Sequence, residues 1–161
     1  MIVNNQGLKH TGDDGAMNTG RRVYEYVELV AADRRYLDKE IEWKIIDNTV
    51  FSLGIPPLDA NSFLQGAATI GQFSTETLVM RALNDIASGM RKRSPRISSQ
   101  QFEFLTDAAI GLSKGEIDRD DARGLVKAAC EQADLRAARR GLFRTRRWYR
   151  SIPDRQQLAR A

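Results

Sequence analysis

Residues 23–51, VYEYVELVAADRRYLDKEIEWKIIDNTVF, decide the predicted fold. Apolar side chains recur in this stretch at alternating intervals of four and three residues, and no Pro or Gly interrupts it before Gly54. Such spacing is typical of a helix with one continuous apolar seam, and it predicts a single long helix from about residue 20 to 53. The seam residues are Val23, Val27, Val30, Leu37 and Ile41.

Two interpretations of the seam remain open. A helix of this length can lie at the centre of a bundle formed by its own chain. Alternatively it can pair with other copies of itself, with Arg34, Lys44 and Asn48 as polar interruptions that set the register. The second interpretation makes the seam a candidate oligomer contact, and both make this helix the scaffold of the protein.

The rest of the chain predicts an all-α fold with shorter helices. Gly54 and the Pro56-Pro57 pair end the long helix, and Ser74 or Thr75 provides an N-cap for a later one. A helical hairpin is expected over about residues 99–133, with Asp118 capping its second helix. No strand and no internal repeat of solenoid length stands out. We expect a flexible arm over residues 1–18, a helical domain over 19–134 and an Arg-rich basic segment over 135–161.

Positive charge is concentrated in that last segment. Residues 135–161 contain nine arginines, no lysine and one acid, so they carry +8, whereas the formal net charge of the whole chain is +4. The first 134 residues are therefore mildly acidic. An asymmetry of this kind indicates an anionic partner.

Several function classes lack their sequence signals. No run of about 18 apolar residues and no secretory leader is readable, which favours the cytoplasm, or a particle assembled there, over a membrane. The GLSKG stretch, 111–115, has the letters of a hydrolase nucleophile elbow but follows a predicted helix, and the acids of 116–121 do not fit a calcium-binding loop. Cys130 has no second thiol to pair with. We therefore expect no enzymatic activity, no metal and no cofactor.

The basic segment is predicted to form an amphipathic C-terminal helix whose arginines share one face of about 160°. Guanidinium groups bind phosphate, and aromatic rings among them can stack on unpaired bases. The candidate nucleic-acid-binding residues are Arg136, Arg139, Arg140, Arg144, Arg146, Arg147, Arg150, Phe143 and Trp148. A secondary basic cluster consists of Arg91, Lys92, Arg93 and Arg96.

These patterns favour a non-enzymatic nucleic-acid-binding protein, RNA or DNA, that is oligomeric through its long helix. The alternative is a structural or assembly subunit of a viral particle or another large complex, which binds neighbouring proteins through the long helix and the terminal arms. An acidic protein remains open as the partner of the basic segment.

Overall fold

The computed structural model describes residues 13–138 and 146–153, and this part of the chain is mostly helical, as predicted. The helices are α1 (Asp13–Ala31), α2 (Lys39–Leu53), α3 (Pro57–Ile70), α4 (Glu76–Arg93), α5 (Ser99–Leu112), α6 (Arg119–Gln132) and α7 (Arg147–Arg150). Four strands of two residues each were not predicted: β1 (Tyr36–Leu37), β2 (Ser74–Thr75), β3 (Arg96–Ile97) and β4 (Arg136–Ala137).

The single helix predicted over residues 20–53 is wrong, because the chain forms two helices with a strand between them. Helix α1 ends at Ala31, and α2 begins after Asp38, whose side chain accepts a hydrogen bond of 2.9 Å from the Ile41 amide. Leu37 keeps its place in the apolar pattern but is a strand residue with no exposed surface. The apolar spacing is present in the sequence, but it continues across the turn between α1 and β1 and so does not mark a single helix.

The predicted seam packs inside its own chain. Val23, Val27 and Leu37 have 0% of their surface exposed, and Val30 and Ile41 are partly buried against the same cluster. The first three side chains are therefore not available to pair with another copy, which corrects their assignment as oligomer contacts. Helix α1 also begins at Asp13, so residues 13–18 are helical and not a flexible arm, while residues 1–12 lie outside the described residues.

Local signals placed most of the other helix boundaries correctly. Gly54 ends α2 with a left-handed backbone (φ 64°), and its amide donates to the Val50 carbonyl. Thr75 caps α4 by accepting a hydrogen bond from the Leu78 amide. Helices α5 and α6 lie within the range predicted for the hairpin, and Asp118 caps α6.

The strands form two parallel ribbons of two strands. Strand β1 pairs with β2, with Leu37 opposite Thr75. Strand β3 pairs with β4, with Ile97 opposite Ala137. Each ribbon joins the two ends of a helical hairpin, so the order strand, helix, helix, strand occurs twice along the chain.

This order reveals an internal repeat that the sequence analysis missed. A first module, residues 13–75, and a second module, residues 76–137, each consist of helix, strand, helix, helix and strand. Equivalent positions are about 60 residues apart: Leu37 and Ile97 both lie at buried strand positions, and Gln72 and Asp134 both adopt positive φ, at 59° and 52°. The modules share backbone and burial rather than residue types.

Each module has its own hydrophobic core. The first is formed by α1, α2 and α3, and the second by α4, α5 and α6. Leu135 and Ile152, both from the predicted Arg-rich segment, are buried in the second core, and Trp148 and Tyr149 pack against it. The described part of the C-terminal segment thus packs as part of the second module.

Candidate nucleic-acid interface

The β3–β4 ribbon presents two arginines side by side. Arg96 and Arg136 are directly opposite each other and exposed, whereas the next pair, Ile97 and Ala137, is buried at 1% and 5% exposure. Neighbouring strands lie about 4.8 Å apart, and side chains at one register position share a face of the ribbon. The fold therefore brings together two guanidinium groups from segments 40 residues apart in the sequence.

The last turn of α4 adds three more cations. Arg91, Lys92 and Arg93 are all exposed, and the chain passes from them through Ser94 and Pro95 into β3. Cations in a last helical turn interact favourably with the helix dipole, which explains why this position tolerates them. We define the basic ridge as Arg91, Lys92, Arg93, Arg96 and Arg136.

Few negative charges balance the basic ridge. Asp134 lies 3.5 Å from Arg91 (Oδ2 to Nη2) and 3.9 Å from Arg136 (Oδ1 to Nε), with its own side chain 67% exposed. Ion pairs this long and exposed contribute little to stability. The side chains of Lys92, Arg93 and Arg96 make no ion pair or hydrogen bond within the described residues. The ridge thus keeps an excess of positive charge for an external anion.

The first module shows that the fold does not require these charges. The four ridge positions of α4 and β3 correspond to Ala31, Ala32, Asp33 and Tyr36, each 60 residues earlier, and Arg136 corresponds to Ser74. The equivalent positions thus carry uncharged or acidic residues in the first module and five cations in the second, although residues 32 and 33 form a turn where residues 92 and 93 are helical. The charge is a property of this surface and not of the architecture.

The first residues of the predicted C-terminal helix are not helical. Helix α6 ends at Gln132, Asp134 has a left-handed backbone, and Arg136 lies in β4, so these residues do not continue a helix. Arg147 and Arg150 are exposed on the four-residue helix α7, which Arg146 precedes. The remaining candidates, Arg139, Arg140, Phe143 and Arg144, lie outside the described residues.

Trp148 has a different role from the base-stacking platform that we predicted. Its ring packs edge-to-face on Phe102 and on Tyr149, with centroids 5.6 Å away in both cases, and its Nε1 donates to the Ala138 carbonyl at 3.1 Å. Tyr149 also packs edge-to-face on Phe102. Trp148 therefore anchors the C-terminal segment on the second module, directly after β4.

The other motifs have structural explanations. Ser113 of the GLSKG stretch follows helix α5, and its hydroxyl donates to the Ile110 carbonyl at 2.9 Å, which is not the geometry of a nucleophile elbow. In the acidic stretch, Asp118 accepts hydrogen bonds of 2.8 Å from the amides of Asp120 and Asp121. No cluster of three metal-ligating side chains occurs among residues 13–138 and 146–153. Burial, with a smaller contribution from Glu131, raises the pKa of the Cys130 thiol to about 12, so this thiol is a poor nucleophile.

A buried polar cluster between the modules escaped the sequence analysis. Glu42 of α2 has no exposed surface, and its carboxylate accepts hydrogen bonds from the amide of Thr77 (2.7 Å) and from its hydroxyl. Lys39 lies 3.5 Å from the same carboxylate, and its amide donates to Glu76. The sequence did contain a signal for this cluster, because Glu42 is a single acid on an otherwise apolar helical face. Buried carboxylates are rare unless they are paired, so an acid at such a position indicates a buried partner.

Comparison of the chain with protein-family models, with curated proteins and with solved structures found no match. None of the helices in the described residues is both long and apolar enough to cross a membrane. The geometry of the chain's own residues is therefore the basis of the functional argument.

Proposed function

We propose that this protein is a non-enzymatic nucleic-acid-binding protein that binds phosphate through the basic ridge and the arginines that follow it in the sequence. The main support is the register pairing of Arg96 with Arg136, because it joins two basic segments into one surface. Phosphate contacts by Arg and Lys provide most of the affinity in sequence-independent binding. Arg139 and Arg140 come soon after β4 in the sequence and lie outside the described residues; they are further candidate phosphate-binding residues.

The mode of binding would be charge neutralisation with little reading of base sequence. The ridge has no aromatic side chain, and Trp148 is occupied by its contacts with Phe102 and Ala138. Base stacking is therefore not expected from Trp148, which leaves single-strand preference dependent on Phe143, outside the described residues. We expect affinity to depend steeply on salt and weakly on sequence.

A charge-removal experiment tests the proposal. Labelled single- and double-stranded oligonucleotides are titrated by fluorescence anisotropy between about 50 and 200 mM salt. We compare the wild type with an Arg96→Ser/Arg136→Ser variant. Loss of two phosphate contacts reduces the slope of log K against log salt by about 1.4–1.8. The matched control is Arg21→Ser/Arg22→Ser, which removes the same charge from exposed positions of α1.

Two outcomes would contradict the proposal. One is the absence of binding by the wild type at about 50 mM salt. The other is an equal loss of affinity in the ridge variant and in the α1 control, which would mean that only net charge matters. Deleting everything after Asp134 is not a suitable test, because Leu135 and Ile152 belong to the second core and their loss would unfold it.

An assembly subunit is the second candidate, supported by exposed apolar side chains. Trp43 and Phe51 of α2 are 54% and 87% exposed, and Leu58 at the start of α3 is 76% exposed. Large apolar side chains exposed to solvent can mark contacts with other proteins where they lie together. Light scattering over a range of concentrations tests this candidate: a wild type that associates and a Phe51→Ser variant that does not would support it.

A further inference from the structure

A groove of about 1070 Å³ lies where the first module meets the end of α5. Its walls come from the ends of α1 and α3, from the turn that precedes β2, and from the residues that follow α5. The volume is slightly above the range of about 300–1000 Å³ that small-molecule sites occupy. No residue of the basic ridge lines it, so the groove is a separate feature.

Three cations line this groove. Arg34 and Arg35 come from the turn before β1, and Lys114 comes from the turn that follows α5. All three are exposed, and within the described residues their side chains make no ion pair or hydrogen bond. Glu28 is the acid among the lining residues, which leaves an excess of two positive charges.

The backbones that carry these cations are fixed. The Arg35 carbonyl accepts a hydrogen bond of 2.8 Å from the Ser74 amide, which ties the Arg34-Arg35 turn to the β1–β2 ribbon. Lys114 has a positive φ of 60°, and its amide donates to the Gly111 carbonyl at 3.1 Å. Binding of an anion would therefore order side chains and not main chain, which lowers its entropic cost.

Apolar side chains form part of the groove lining. Leu112 is 37% exposed there, and Phe73, Ala68 and Ala31 are largely buried beside it. A free inorganic anion would not use this surface, whereas a ligand with both a phosphate and an organic part would cover it. Like charges around a concave, partly apolar wall focus the electrostatic potential and attract such an anion.

We propose that this groove binds a small organic phosphate, with the phosphate between Arg34, Arg35 and Lys114 and the organic part against the exposed side chain of Leu112. The site is independent of the basic ridge, so it does not rest on the proposed nucleic-acid function. Guanidinium groups can bind a phosphate through two parallel hydrogen bonds, and the backbones of Arg34 and Arg35 are both held by hydrogen bonds.

Isothermal titration calorimetry of the full chain with ADP, with pyrophosphate and with adenosine tests this proposal. We expect ADP to bind with a dissociation constant below about 1 mM and more tightly than either pyrophosphate or adenosine. An Arg35→Ser/Lys114→Ser variant should lose at least about tenfold in ADP affinity, which corresponds to 1.4 kcal/mol. The Arg21→Ser/Arg22→Ser control removes the same charge and should bind ADP like the wild type.

Specific results would overturn the proposal. Failure of ADP to bind at about 1 mM, or equal loss in the groove variant and the α1 control, would do so. So would a groove variant that loses oligonucleotide affinity while the wild type binds no ADP, because the groove would then hold nucleic-acid phosphates. The Arg96→Ser/Arg136→Ser variant should still bind ADP, which separates this site from the ridge.

Discussion

Replacement of Glu42 by leucine is the sharpest test of how the two modules are joined. The Glu42 carboxylate accepts hydrogen bonds from the Thr77 amide at 2.7 Å and from its hydroxyl. Thr77 is the second residue of α4, so its amide has no partner within the helix. A buried carboxylate of the first module thus caps the first helix of the second, where the helix dipole favours negative charge.

The expected loss follows from these contacts. Removing one partner of a buried ion pair costs about 3–5 kcal/mol when the remaining charge stays buried. Lys39, the third member, has a side chain that is 40% exposed, so water still solvates its ammonium group and its share is small. The orphaned Thr77 amide costs about 1–3 kcal/mol, whereas the Thr77 hydroxyl loses its acceptor but still accepts a hydrogen bond of 2.7 Å from Lys39 Nζ. We expect Glu42→Leu to lower the free energy of unfolding by about 3 kcal/mol, and Glu42→Gln, which keeps one acceptor oxygen, by about half of that.

Urea denaturation followed by circular dichroism and by tryptophan fluorescence measures these losses. Glu40→Gln is the matched control, since it neutralises a carboxylate of the same helix that is 77% exposed and bonded to Lys44 at 2.6 Å. The hydrogen bond and charge of Lys44 lower the Glu40 pKa, but the pair is exposed to solvent, so its loss should change stability little. A Glu42→Leu protein as stable as the Glu40→Gln protein would refute the reasoning, because the carboxylate would then not join the modules.

Three further changes test other parts of the fold. Gly66→Ala would place a methyl group 2.7 Å from the Tyr24 hydroxyl and should cost about 1–3 kcal/mol in urea unfolding, whereas Gly89→Ala on α4 meets nothing within 4 Å and should be neutral or stabilising. The Cys130 thiol has a raised pKa in the folded protein, so above the unfolded-state pKa of about 8.5 only the unfolded chain loses this proton readily. The free energy of unfolding therefore falls as pH rises from about 8.5 towards 12, by up to about 1.4 kcal/mol per pH unit. Cys130→Ala should therefore flatten the alkaline fall of the melting temperature, and a fall as steep as in the wild type would contradict this. Trp148→Ala should cost about 2–3 kcal/mol through lost ring contacts and a lost hydrogen bond, and no change in the urea midpoint would show that the C-terminal segment is not anchored.

Helix ends were predictable where the capping signal is local. Thr75 and Asp118 each cap the helix that the sequence assigned to them, because an N-cap depends on the residue itself and on the next three amides. Asp38 belongs to the same class and precedes acids in the first turn of α2. The Asp38 capping signal was overlooked because the apolar spacing of α1 continues through the turn to Leu37. Leu37 lies in a strand, but it falls at the position that a continuous helix would also make apolar.

The two strand ribbons and the internal repeat could not be predicted from the sequence, for a different reason. Strands of two residues have no readable alternation, and the β1–β2 and β3–β4 pairs join segments about 40 residues apart. Equivalent positions in the modules share burial but not chemistry: Glu42 corresponds to Phe102, and Gln72 to Asp134. Both basic clusters were identified from the sequence, but only the pairing of Arg96 with Arg136 makes them one surface.

The Glu42 and Phe102 positions explain how the basic segment is held. In the first module the position is Glu42, whose carboxylate accepts a hydrogen bond from the start of α4, the helix that follows β2. In the second module Phe102 packs against Trp148 and Tyr149 of α7, the described helix that follows β4. One fully buried position thus fixes the next helix in both modules, by hydrogen bonds in one and by aromatic packing in the other. Trp148 is also hydrogen-bonded to Ala138 beside β4, so the cations of α7 lie on the same module as the basic ridge. What these cations bind is therefore best measured by substituting their charges, because removing the segment would also remove the Trp148 contacts.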